Sequence, residues 1–159
     1  MAEIKQYVEI LLESLEKKKR ILQQILKENA EQEKAVKVNG SIEEFDRIVE
    51  KKGRLIFELE NLDSGFDKVY SRIREELPSV RESYREEIAR MQRLISEITD
   101  LSVSISTSEQ RNKQSVESYF SYARGQIRQS KKSVRAANDY YKNMRQINYI
   151  DPQLMDSKK

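Results

Sequence analysis

Histidine and cysteine are both absent from the 159 residues. Their absence removes the imidazole general base, the thiolate nucleophile, the disulfide and the Cys/His zinc site. The groups that could still act on a substrate are serine hydroxyls, lysine amines and carboxylates, and no glycine-rich phosphate loop organises them. An enzyme is not expected, and neither a cofactor nor a metal site is expected. The remaining chemistry is recognition by basic side chains and tyrosines. Both gather at one end of the chain. From Glu109 onward there are five acidic residues against eleven basic ones, a local balance of +6 in a chain whose net charge is +3. The first 108 residues are therefore slightly acidic, and charge is segregated by region.

Within this basic arm an apolar seam runs through Val116, Tyr119, Ala123, Ile127, Val134, Ala137, Tyr141 and Met144, with Phe120, Tyr122 and Tyr140 on its flanks. Arg124, Arg128, Lys131 and Arg135 form a basic rim. Three readings compete. The seam can be core, buried by a fold-back or against a second copy. Alternatively, phosphates pair with the Arg and Lys residues while bases stack on the tyrosines. That reading is disfavoured, because Tyr119, Tyr141 and Met144 align on the apolar seam instead of interleaving with the charges. In the third and preferred reading, an unpaired stripe of small and amphipathic residues accepts a partner helix and its basic rim selects an acidic one.

The elements that must carry this arm are helices. Hydrophobic residues make up 37% and charged residues 36%, with only four Gly and two Pro to make turns, which is the composition of long helices with a thin core. Ile4, Val8, Leu11, Leu15, Leu22 and Ile25 form a heptad stripe with Lys18 at the skipped position. The seam continues into Asn29 and Gln32, where a polar residue sets register. Asn39-Gly40 marks a turn, and Ser41 three before Glu44 makes a capping box. A second stripe follows through Ile42, Phe45, Val49, Lys52, Ile56, Leu59, Leu62, Phe66, Val69 and Ile73. Pro78 breaks it, and Ser79 three before Glu82 reads as another capping box, so helices two and three are expected to be antiparallel neighbours.

The expected fold is all-α: an elongated antiparallel bundle of three helices over about 2–36, 42–77 and 79–147, one domain spanning 1–147 with a tail at 148–159. At about 1.5 Å per residue the third helix would reach on the order of 100 Å and the others about 50 Å, leaving half of the third uncovered. The run Ser102, Ser104, Ser106, Thr107 and Ser108 consists of poor helix formers. Ile105, Asn112, Val116, Tyr119 and Ala123 nevertheless keep one heptad phase through it, which favours a continuous, locally soft helix over a fold-back at 102–108 giving a four-helix bundle. No signal peptide or membrane span is expected, and a cytoplasmic location is the default. In the tail, Pro152 ends helical periodicity, and Tyr149, Ile150, Leu154 and Met155 either tuck back or form a docking peptide.

Two shorter heptad helices, the Ser-Ile-Glu-Glu-Phe opening of the second, a long third helix, and the ending Tyr140-Tyr141-Lys142-Asn143-Met144 with Tyr149-Ile150-Asp151-Pro152 and Met155-Asp156 resemble flagellar export chaperones of the FlgN type from Gram-positive anaerobes. The resemblance implies a cytoplasmic chaperone that holds the C-terminal helical segments of hook-filament junction proteins and delivers them to the export gate. It implies a client surface in the C-terminal part, matching Val116 to Met144, and a gate-docking tyrosine, with Tyr149 favoured over Tyr140 or Tyr141. The alternatives are a structural coiled-coil protein that homodimerises through the same arm and a sibling flagellar chaperone serving the filament cap. The chaperone is expected to be a monomer or weak homodimer, with no nucleic acid partner and no membrane insertion.

Overall fold

The computed structural model describes residues 2–38, 40–122, 135–140 and 142–143. Its elements are α1 (Ala2–Lys37), α2 (Ile42–Ile73), a 3-10 helix (Leu77–Tyr84) and α3 (Arg85–Tyr122). The chain is an all-α helical bundle, as the heptad stripes require. No strand occurs among the described residues, and no described helix is long and apolar enough to cross a membrane.

Ser41 caps α2 by accepting a hydrogen bond from the Glu44 backbone amide at 3.1 Å, which satisfies one of the donors that a helix start leaves open. The preceding turn is tight around its glycine. The Gly40 amide donates to the Ala35 carbonyl at 2.8 Å, and a Cβ on Gly40 would lie 3.1 Å from that same oxygen. α2 runs unbroken through Gly65.

The junction after α2 differs from the expectation. α2 ends at Ile73, not near 77, and the chain passes through a 3-10 helix with Pro78 in its first turn before α3 begins at Arg85. Ser79 does not cap α3; its hydroxyl donates to the Glu76 carbonyl at 2.7 Å. Proline lacks the amide and restricts the residue before it, so the chain tightens instead of starting a fresh α-helix at once.

α1 is the central helix and packs along both α2 and α3. The backbones of α2 and α3 stay further apart and meet through long side chains, so they are antiparallel without being packed along their lengths as expected. The main core holds Val8, Leu11, Leu22 and Ile25 of α1, Ile56, Leu59 and Ile73 of α2, and Met91, Ile95, Ile98 and Ile105 of α3. The α1 and α2 members are seam positions of their stripes, and Ile105 begins the phase that runs through the serines. α3 is continuous through 102–108, where Ser102 and Ser108 are buried and Thr107 and Ser108 bond back to the Val103 and Ile105 carbonyls. This run is helix, not a turn.

Candidate partner-binding site

Polar residues on the heptad seams become cross-links between the helices. Lys18, at the skipped position of α1, donates to Asp63 of α2 at 2.9 Å. One end of the bundle carries a denser set. Asn29 donates through its amide nitrogen to the Ser108 hydroxyl at 2.8 Å, and Asn112 donates to the Asn29 carbonyl at 3.1 Å, tying α1 to α3. Lys51 pairs with Glu28 at 2.8 Å.

At the centre of this set lies Lys52, whose side chain is 2% exposed. Its ammonium donates to Gln32 Oε1 at 2.7 Å and lies 2.9 Å from Glu109 Oε1, so one cation joins α2 to α1 and α3. Burial pulls the Lys52 ammonium below its ordinary range, and the charges of Glu109 and Glu28 work against that shift. Glu109 Oε2 is buried without a hydrogen-bond partner among the described residues. A pair this deep is costly to desolvate, and its value lies in fixing which helix faces meet.

The ammonium also sits 4.0 Å from the centre of the Tyr140 ring. A straight helix would separate Glu109 from Tyr140 by about 46 Å, yet both touch Lys52. Residues 135–140 therefore lie back against the bundle and not on a straight continuation of α3. The straight third helix expected over 79–147 does not fit this placement: α3 is described over Arg85–Tyr122, and 135–140 is a helical return. The return also lies beyond 102–108, where the fold-back alternative had put it. Heptad phase persisted past Tyr122 because the returning stripe needs the same three-and-four spacing to face the bundle.

Ala136 packs against the cluster of Ile42, Phe45, Val49, Val116 and Tyr119, whereas Tyr140 joins the main core further along α2. The return thus runs in the direction of α2 and touches residues of both α2 and α3. The floor beneath it is aromatic at one end. Phe45 stacks on Tyr119 with ring centres 5.1 Å apart and meets the edge of Phe120 at 5.2 Å. The Tyr119 hydroxyl donates to the Gly40 carbonyl at 2.8 Å, pinning α3 to the turn before α2.

Of the residues expected to hold a client, Val116, Tyr119 and Ala137 are buried within the chain itself and Phe120 is half-buried. At Val116 and Tyr119 the stripe expected to lack a cover is covered by α2 and the end of α1. Arg135, from the basic rim, is exposed. Ala123, Ile127, Val134, Tyr141 and Met144, the rim residues Arg124, Arg128 and Lys131, and Tyr149 lie outside the described residues. Lys52 and Glu109 were not among the expected site residues, and Tyr140 was expected only on the flank of the seam or as an alternative gate-docking tyrosine. The signal for Lys52 was present, since a lysine on a seam position must find a buried acceptor.

No protein-family model matches the chain, and neither curated proteins nor solved structures yield a similar one.

Proposed function

We propose that this protein is a cytoplasmic export chaperone of the flagellar type, which holds the C-terminal helical segments of hook-filament junction proteins and hands them to the export gate. The observation that carries the reading is the helical return at 135–140, seated against α2 and α3 with Ala137 and Tyr140 buried. A groove that accepts one amphipathic helix of its own chain has the width and chemistry to accept another. The resemblance in the tail supplies the family, and the absence of His and Cys fits a protein that binds instead of catalysing.

A client segment that is disordered alone would fold as it displaces the return, so part of the interaction energy is spent on ordering and affinity stays modest. That suits a protein that must release its cargo. Homodimerisation through the C-terminal arm is the less supported reading, because Val116 and Tyr119 already have intramolecular partners. The test is titration of the intact chain with purified C-terminal segments of junction proteins, with hydrogen exchange followed at 135–140. A one-to-one complex that deprotects 135–140 is expected. Failure to form a complex at about 100 µM, together with a mass that rises with concentration, would overturn the reading in favour of the dimer.

A further inference from the structure

The seat beneath the return differs from an ordinary apolar groove in one respect, which is that a buried cation stands in it. Lys52 has two anionic or polar acceptors, Glu109 Oε1 and Gln32 Oε1, and both lie on the bundle side. The remaining face of the ammonium is closed by the Tyr140 ring, 4.0 Å away. Water does not do this job, because Lys52 and Tyr140 are both nearly inaccessible. Any helix occupying this place must present something at the position of Tyr140 that a desolvated ammonium tolerates. An aromatic ring does so through its negative face, whereas an aliphatic side chain fills the volume and leaves the cation uncompensated. Three residues earlier, Ala137 is buried, and a small residue there lets the occupant's backbone lie close to the floor.

We infer that the groove between α2 and α3 selects helices bearing a small residue followed three positions later by an aromatic one, and that Lys52, held by Glu109 and Gln32, is the residue that reads the aromatic ring. This rests on the proposed function for the site's use, and it names the class of helix the site takes. The return is the built-in example of that class. Lys52 is then a specificity-determining residue, and its effect shows as a preference between occupants instead of a uniform gain in stability.

The preference can be read within the intact chain and with an added helix. Within the chain, hydrogen exchange at 135–140 reports closure in Tyr140→Phe and Tyr140→Leu variants. Protection is expected to persist in the Phe variant and to fall about tenfold in the Leu variant. In a Lys52→Met, Glu109→Leu background, which removes the cation together with its charged partner, the Phe and Leu variants are expected to agree within about twofold. For the added helix, the probe is a labelled peptide copying Val134 to Met144, offered to the full-length Tyr140→Ala chain in forms carrying Tyr, Phe or Leu at the seat position. Tyr and Phe peptides are expected to bind comparably and the Leu peptide about tenfold more weakly. Equal protection of the Phe and Leu variants would overturn the inference, as would a preference that survives removal of the ion pair. If the peptides discriminate as expected while junction-protein segments do not bind, the aromatic seat stands and the flagellar reading falls.

Discussion

A lysine on a heptad seam can be buried only where acceptors wait for it, and both seam lysines of this chain meet that condition. Lys18 finds Asp63, and Lys52 finds Gln32 and Glu109. The Lys52 set holds three helices in one register, so removing one partner does more damage than removing the pair. Lys52→Met is expected to cost about 3–5 kcal/mol, because Glu109 is left buried and charged, while Lys52→Met combined with Glu109→Leu should cost only about 1–3 kcal/mol, from the Gln32 oxygen that loses its donor. Urea denaturation of the two single variants and the double variant measures the coupling directly. Asp63 provides a pH signature. Burial raises its carboxyl above the ordinary 3.8, with the Lys18 charge opposing. In the window from 3.8 up to that raised value the folded state binds more protons than the unfolded one, so this group's contribution to stability grows as pH falls through the window and is lost as pH rises. Asp63→Asn should flatten that part of the stability profile, and unchanged curvature in denaturation midpoints across the window would refute the assignment. At this scale the sequence identified Asn29 as a register residue, which its bonds to Ser108 and Asn112 bear out. It did not reveal the Lys52 partners, since which glutamate comes opposite a seam lysine depends on the stagger of helices 57 positions apart in the chain.

The helices were legible because their information is local. Three-and-four spacing locates the buried face, and Ser41 locates the start of α2. Boundaries set by competition between neighbours were harder to read, as at Ser79, whose hydroxyl turns to the Glu76 carbonyl instead of capping an α-helix three residues ahead. The serine run teaches a related lesson. Ser102 and Ser108 are poor helix formers in isolation, but on the buried face of α3 their small size accommodates α1, and Asn29 uses one of their hydroxyls. Packing here outweighs propensity. On the outer face nothing compensates, since Ser104 and Thr107 are exposed and Thr107 bonds back to Val103. Replacing both by alanine should therefore raise stability by about 1 kcal/mol, visible as a higher denaturation midpoint with an unchanged slope. Loss of stability in this variant would mean that α3 depends on those hydroxyls for more than helix formation.

For the molecule as a whole, the heptad phase that runs past Tyr122 was compatible both with one very long helix and with a return, because a stripe must be apolar at the same spacing whether it waits for a partner or faces its own bundle. The proximity of Tyr140 to Lys52 and the packing of Ala136 against Ile42, Phe45 and Val116 decide between them. The consequence concerns where a client sits. If a client helix lies along Val116 to Met144 as a free-standing arm, then ending the chain at Tyr122 removes most of the site. If instead the client takes the place of the return between α2 and α3, the same truncation opens the site. A cover closed about nine-tenths of the time would weaken apparent binding about tenfold, and its removal would restore that factor. The chain ending at Tyr122 keeps all of α1, α2 and α3 and the main core apart from Tyr140, so it is expected to stay helical by circular dichroism while melting at lower temperature. Its affinity for a junction-protein segment should exceed that of the full chain. Abolished binding by a truncated chain that remains folded would return the client to the arm beyond Tyr122, and with it the exchange between cover and cargo would fall.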